Sequence, residues 1–124
     1  MPKKPLALLV ALALTGAPAI AQEPVPAKVG ACVSTAVKEV SFRLDGVPDS
    51  GSAIEYTDGI YQVSYDTVPE MAESRAGDKI KLCLLSVPSG CPKGDDRGKN
   101  YRATNLRTGK SWEAMDSEHM CGGA

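Results

Sequence analysis

The stretch Ala53–Tyr65 (AIEYTDGIYQVSY) constrains the fold more than any other part of the chain. Two alternating runs rich in aromatic and β-branched residues flank Asp58-Gly59, a pair suited to a two-residue hairpin turn. In that register Tyr56 faces Tyr61 and Ile54 faces Val63. These four and Tyr65 then share one apolar face, with Glu55, Gln62 and Ser64 on the other. The stretch predicts a hairpin that is apolar on one side only.

The rest of the chain reads in the same style. Lys79–Val87 alternates, with Ile80, Leu82 and Leu84 on one face and Lys79, Lys81 and Cys83 on the other. Tyr101–Leu106 and Ser111–Met115 flank a turn in which Gly109 suits a left-handed position of a three-residue loop. Thr104 then opposes Trp112 and Tyr101 opposes Met115. Those pairs lie on opposite faces, which leaves the core face of this hairpin open. Residues 33–44 fit a helical stripe (Val33, Val37, Val40, Leu44) or a strand (Val40, Phe42, Leu44). Their Val and Thr content favours strand, and a bulge near Lys38 reconciles the change of parity. Residues 45–52 read as a loop, and Pro69–Arg75 as one short helical turn. Short strands, frequent turns and no βαβ alternation predict an all-β fold. The expectation is a small barrel or sandwich of five to seven antiparallel strands over residues 31–124, stapled by disulfides.

The staples follow from the N-terminus. Lys3 and Lys4 precede the apolar run Leu6–Leu14 and the small-residue end TGAPAIA. This is the pattern of a cleaved export signal, with cleavage expected between Ala21 and Gln22 and a second possibility after Ala19. The run is too short to span a bilayer, so no transmembrane anchor is expected. Val29-Gly30-Ala31-Cys32 has the look of a lipoprotein box but lies too far beyond the apolar run to act as one. Residues 22–30 read as an extended, Pro-rich lead-in. A chain of 103 residues remains, with 12 basic and 15 acidic side chains and a net charge of −3. The destination is the periplasm or the medium, where disulfides persist.

Cys32, Cys83, Cys91 and Cys121 contain no C-x-x-C, so neither a zinc knuckle nor a thioredoxin-type redox motif is indicated. Of the three pairings, Cys83–Cys91 with Cys32–Cys121 is favoured, because the second bridge closes the longest loop. Cys32–Cys83 with Cys91–Cys121 is the rival.

Chemistry-bearing residues are few. His119 is the one histidine, within Asp116-Ser117-Glu118-His119. A small hydrolase would use His119 with Asp116 or Glu118 and with Ser117 as nucleophile. Triad members must converge from separate elements, however, and Ser117 lacks a G-x-S-x-G setting. The same residues lack the spacing of a metal site, and Asp95-Asp96 lacks a calcium-loop pattern. No cofactor is indicated. Charge is more informative. Residues 39–78 hold nine acids against two arginines, and residues 93–110 hold six bases against two acids. The basic stretch, with Tyr101 inside it and Trp112 after it, presents Arg97, Arg102 and Arg107. Alternation puts Arg102 and Trp112 on one face, a surface suited to an acidic partner or a glycan. Alternatively, the basic hairpin packs on the acidic half of the same domain. Export and a negative net charge argue against nucleic acid.

The resulting expectation is an exported, non-catalytic binding or inhibitor-like module recognising another envelope protein or a glycan. In size and style it resembles the small periplasmic β-proteins that inhibit lysozymes or proteases, without a motif matched residue by residue. The alternatives are the small hydrolase just described and a structural or accessory envelope protein.

Overall fold

A computed structural model describes residues 2–3 and 25–123 of the 124-residue chain. The expected export segment, with its cleavage position, thus lies outside the described residues apart from Pro2 and Lys3. Six strands form a closed antiparallel barrel in the order β1-β2-β3-β6-β5-β4. One meander comprises β1 (Cys32–Phe42), β2 (Ser52–Tyr56) and β3 (Tyr61–Ser64). The other comprises β4 (Lys79–Ser86), β5 (Asn100–Asn105) and β6 (Ser111–Met115). A single helical turn, α1 (Pro69–Ala72), joins them, within the segment read as helical. Its Met71 is fully buried against the core. The fold is all-β, as the turn-rich alternation predicts.

β1 serves two partners. Cys32–Ala36 pair with β4, and Val37–Phe42 pair with β2. The register shifts between Val37 and Glu39, which places a bulge at Lys38. The extra residue brings Val33 and Val37 before it, and Val40 after it, to the same core. β4 alternates as expected: Ile80, Leu82 and Leu84 are buried, and Lys79 and Lys81 are exposed.

Both hairpin registers differ from expectation by one residue. Tyr56 N–H donates to the Ile60 carbonyl, and Gly59 N–H donates to the Tyr56 carbonyl. The loop is therefore the three residues Thr57-Asp58-Gly59. Gly59 has positive φ and Asp58 does not, which a two-residue type I′ turn would require of both. Asp58 Oδ1 instead accepts from Ile60 N–H, fixing the wider turn. Ile54 now opposes Gln62, and Glu55 opposes Tyr61. A one-residue slip exchanges the faces. Gln62 turns into the barrel while Tyr61 and Tyr65 turn to solvent, the reverse of the expected pattern.

In the second hairpin the loop is four residues, 106–109, closed by Asn105 N–H on the Lys110 carbonyl. Ala103 opposes Trp112, and Tyr101 opposes Ala114. These four residues face the core, and Arg102 and Glu113 face out. The expected sharing of one face by Arg102 and Trp112 is thereby corrected.

The core is keyed by Gln62, which is completely buried. Its Oε1 accepts from the Tyr56 hydroxyl and from Trp112 Nε1. Its Nε2 donates to the Tyr101 and Ala114 carbonyls, each at 2.9 Å. Every hydrogen-bonding site of the amide is used, which makes a buried polar group tolerable. Burial pushes the Tyr56 hydroxyl well above its ordinary pKa, so it stays a donor. The Gln62 bonds to Trp112 and Ala114 also link β3 to β6 where their ladder is shortest, with only the pair Val63↔Met115.

The disulfides are Cys32–Cys83 and Cys91–Cys121, so the favoured pairing of Cys83 with Cys91 and Cys32 with Cys121 is overturned. Barrel closure decides it. Cys32 and Cys83 are direct partners in the β1–β4 ladder, with Cα atoms 4.0 Å apart.

Candidate functional site

The five residues expected to bind a partner do not meet on one surface. Trp112 is 5% exposed and its indole N–H is spent on Gln62. Tyr101 is buried too, and burial pushes its hydroxyl up to about 12. Arg102 lies outside, 2.6 Å from Glu113 on the neighbouring strand. Arg107 grips Asp78 with Nε and one terminal nitrogen at 2.7 and 2.9 Å. Asp78 also accepts from Asn105 and from Arg75 N–H, and these donors, Arg107 first, hold its carboxyl well below the usual range. Lys110 pairs with Glu73. Arg107 and Lys110 thus tie the basic hairpin to the acidic half of the chain. Arg97 pairs with Asp95, whose carboxyl is likewise held low by Arg97 and by Gly122 N–H. The Asp95-Asp96 pair, which lacks a calcium-loop pattern, is engaged by Arg97 and Lys99.

The 116–119 cluster is not arranged as a triad. Asp116 Oδ1 accepts from Gly98 and Lys99 N–H, clamping the entry to β5. The Ser117 hydroxyl donates to the His119 carbonyl, and no bond joins it to the imidazole. Glu118 pairs with Arg43 at 3.3 Å. The His119 ring turns instead toward Tyr65, with Nε2 3.5 Å from the hydroxyl and the centroids 6.3 Å apart. Among the described residues, no three His, Cys, Asp or Glu side chains converge as a metal site would require.

Two of these residues, Ser117 and Glu118, instead line a cleft of about 530 Å³. Val63, Ser64, Tyr65 and Asp66 line one side. Ser117, Glu118 and Met120 line another, and Asn100, Glu113 and Met115 are among the residues between them. Tyr65 stands at the mouth, 54% exposed. The Arg43 guanidinium lies 4.3 Å from the centre of its ring. Arg43 is itself fixed: Nε donates to the Ser50 carbonyl at 2.6 Å, and Nη1 reaches Glu118. The ring is thus held from behind by a buttressed cation.

Two glycines allow the cleft to form. A Cβ on Gly51 would lie 2.1 Å from the Ser64 carbonyl oxygen, so only glycine lets loop 43–51 press against the end of β3. That contact carries Arg43 beneath Tyr65. Gly98, at φ 108, would place a Cβ 3.2 Å from Met120 Cα, and so seats the C-terminal segment. The segment is held further by Cys91–Cys121, by Cys121 N–H on the Arg97 carbonyl, and by Asp95.

Of the residues singled out in the sequence, Ser117 and Glu118 line this cleft, and His119 stands beside Tyr65. Tyr65 and Arg43 were missed. Tyr65 reads as one more apolar residue of a hairpin face, and only the true register frees it. Arg43 did carry a signal, as one of two bases among the nine acids of residues 39–78. No protein-family model matches this chain, and no curated protein or solved structure matches it either.

Proposed function

We propose that this chain is an exported, non-catalytic recognition module that binds its partner in the cleft between β3 and the C-terminal segment. The observation that carries this reading is the Tyr65 ring, exposed at the cleft mouth and buttressed by Arg43. An aromatic residue left in solvent yet held in one orientation costs little further ordering when a ligand covers it. The surrounding wall is held by Cys91–Cys121, by the close fit of Gly98 against Met120, and by Asp116 and Asp95 on backbone amides. Both disulfides suit an oxidising compartment. No helix of the described residues is long and apolar enough to cross a membrane. The engagement of Asp116 and Ser117 with backbone groups favours binding over hydrolysis.

The test uses the oxidised protein as bait in cell-envelope extract, beside Tyr65→Ala and Arg102→Ala variants. The expected result is a near-stoichiometric partner retained by Arg102→Ala and lost by Tyr65→Ala. A partner held equally by both variants, or by neither the native protein nor the variants, overturns the reading.

A further inference from the structure

Resting on the recognition reading above, we infer that the cleft accepts a neutral saccharide, with one sugar ring stacked on the free face of Tyr65. The inference comes from what surrounds the Tyr65 ring. The Arg43 guanidinium occupies one face, and the half-exposed ring lines the cleft together with Val63 and Met115. An aromatic face is electron-rich and attracts partial positive charge. A full cation there would sit across the ring from Arg43 and be repelled by it. The polarised C–H bonds of a pyranose carry the required partial charge without that repulsion. An anionic ligand is opposed by Asp66, which lines the cavity without an ion pair, whereas Glu113 and Glu118 are each paired with an arginine.

The polar groups of the cleft complete the match. Glu118 and Glu113 are already engaged with arginines. The Asp66 carboxylate and the Asn100 side-chain amide have no side-chain hydrogen bond among the described residues, although both line the cavity. One accepts only, and the other both donates and accepts. Together they suit the hydroxyl edge of a sugar, whose groups do both. A cleft of about 530 Å³ lies within the size range of small-molecule sites.

The decisive experiment titrates the oxidised, amide-labelled protein with neutral hexaoses (cellohexaose, chitohexaose, maltohexaose). Hexalysine and a sulfated hexasaccharide form the charged arms. The expected result is saturable shifts at Ser64–Asp66 and Ser117–Met120 with at least one neutral hexaose. Its affinity should change by less than about twofold between 50 and 500 mM salt, since no net charge is neutralised. Tyr65→Ala should weaken it by about tenfold or more, and Tyr65→Trp should retain it. Asp66→Asn and Asn100→Ala should each weaken it several-fold with the Tyr65 contact intact. If no neutral hexaose shifts these amides at about 10 mM, the saccharide assignment is wrong. Salt-sensitive binding of a charged probe alone also overturns it, while leaving the recognition reading standing. That reading falls separately, if the Tyr65-dependent capture from envelope extract fails.

Discussion

The barrel and the segment that borders its cleft are held by different means. The barrel has a closed circuit of strand pairs, a fully satisfied Gln62 amide and the pair of Arg107 with the buried Asp78 carboxylate. The C-terminal segment, residues 116–123, has no strand of its own. It is pinned at points: Asp116 on two amides, Asp95 with Arg97 and Gly122, and Cys91–Cys121. Each region has one disulfide, and the two do unlike work. Cys32–Cys83 crosses two strands that are already paired, whereas Cys91–Cys121 anchors a wall that no strand ladder holds. The second region supplies one side of the proposed site.

The largest expected effect comes from removing each disulfide. Loops spanning 51 and 30 residues give nearly equal chain-entropy values, about 4 kcal/mol each. The comparison makes the outcomes unequal. Cys32→Ala/Cys83→Ala should lose close to that amount in urea unfolding. Cys91→Ala/Cys121→Ala should lose less, because the native segment itself gains freedom, and should raise hydrogen exchange at 116–123 alone. Equal losses with equal exchange across the barrel would erase the distinction. Next is Gln62→Leu, which leaves the Tyr56 hydroxyl and Trp112 N–H buried without their acceptor. We expect a loss of about 2–4 kcal/mol in urea unfolding and altered Trp112 fluorescence, with both disulfides intact.

The two clamped aspartates give a pH test of the same contrast. Each carboxyl titrates lower in the folded protein than in the unfolded chain, where it lies near 3.9. Their contributions are present above that pH and are lost as pH falls toward the folded values. Asp78→Asn should therefore flatten the acid limb of the barrel's Tm profile. Asp95→Asn should instead flatten the acid dependence of exchange at the C-terminal segment. The smallest stability effect belongs to Tyr65→Ala, within about 0.5 kcal/mol, because the exposed ring packs no core. A larger loss would make Tyr65 a structural residue and remove the platform.

What could be read in the sequence was what local chemistry decides. The Lys38 bulge followed from the parity of Val33, Val37 and Val40, and the β4 faces followed from strict alternation. The Pro69 turn was likewise local. Loop lengths were not decided, because Asp-Gly and Thr-Gly fit more than one turn, and the glycine supplies positive φ in each. That single ambiguity moved Gln62 inside and Tyr65 outside, and with them the polar core and the cleft. The disulfide pairing depended on β1 meeting β4, a contact between strands distant in sequence that spacing does not encode. The site was legible only in part for the same reason. Glu118 and His119 stood out by type, but Arg43 and Tyr65 reach them across 75 and 54 positions of chain.

The strand order has a consequence for how the chain acquires its shape in time. Within each meander, every strand pairs with its immediate predecessor in sequence. Only two junctions, β1 with β4 and β3 with β6, join distant segments, and the second is a single pair. The loop-closure entropy of the fold is therefore concentrated at the β1–β4 seam, and high sequence separation slows folding. Cys32 and Cys83 sit at that seam. An oxidised chain begins every refolding cycle with its slowest encounter already made, so a reduced chain should reach the same barrel later and through a wider search.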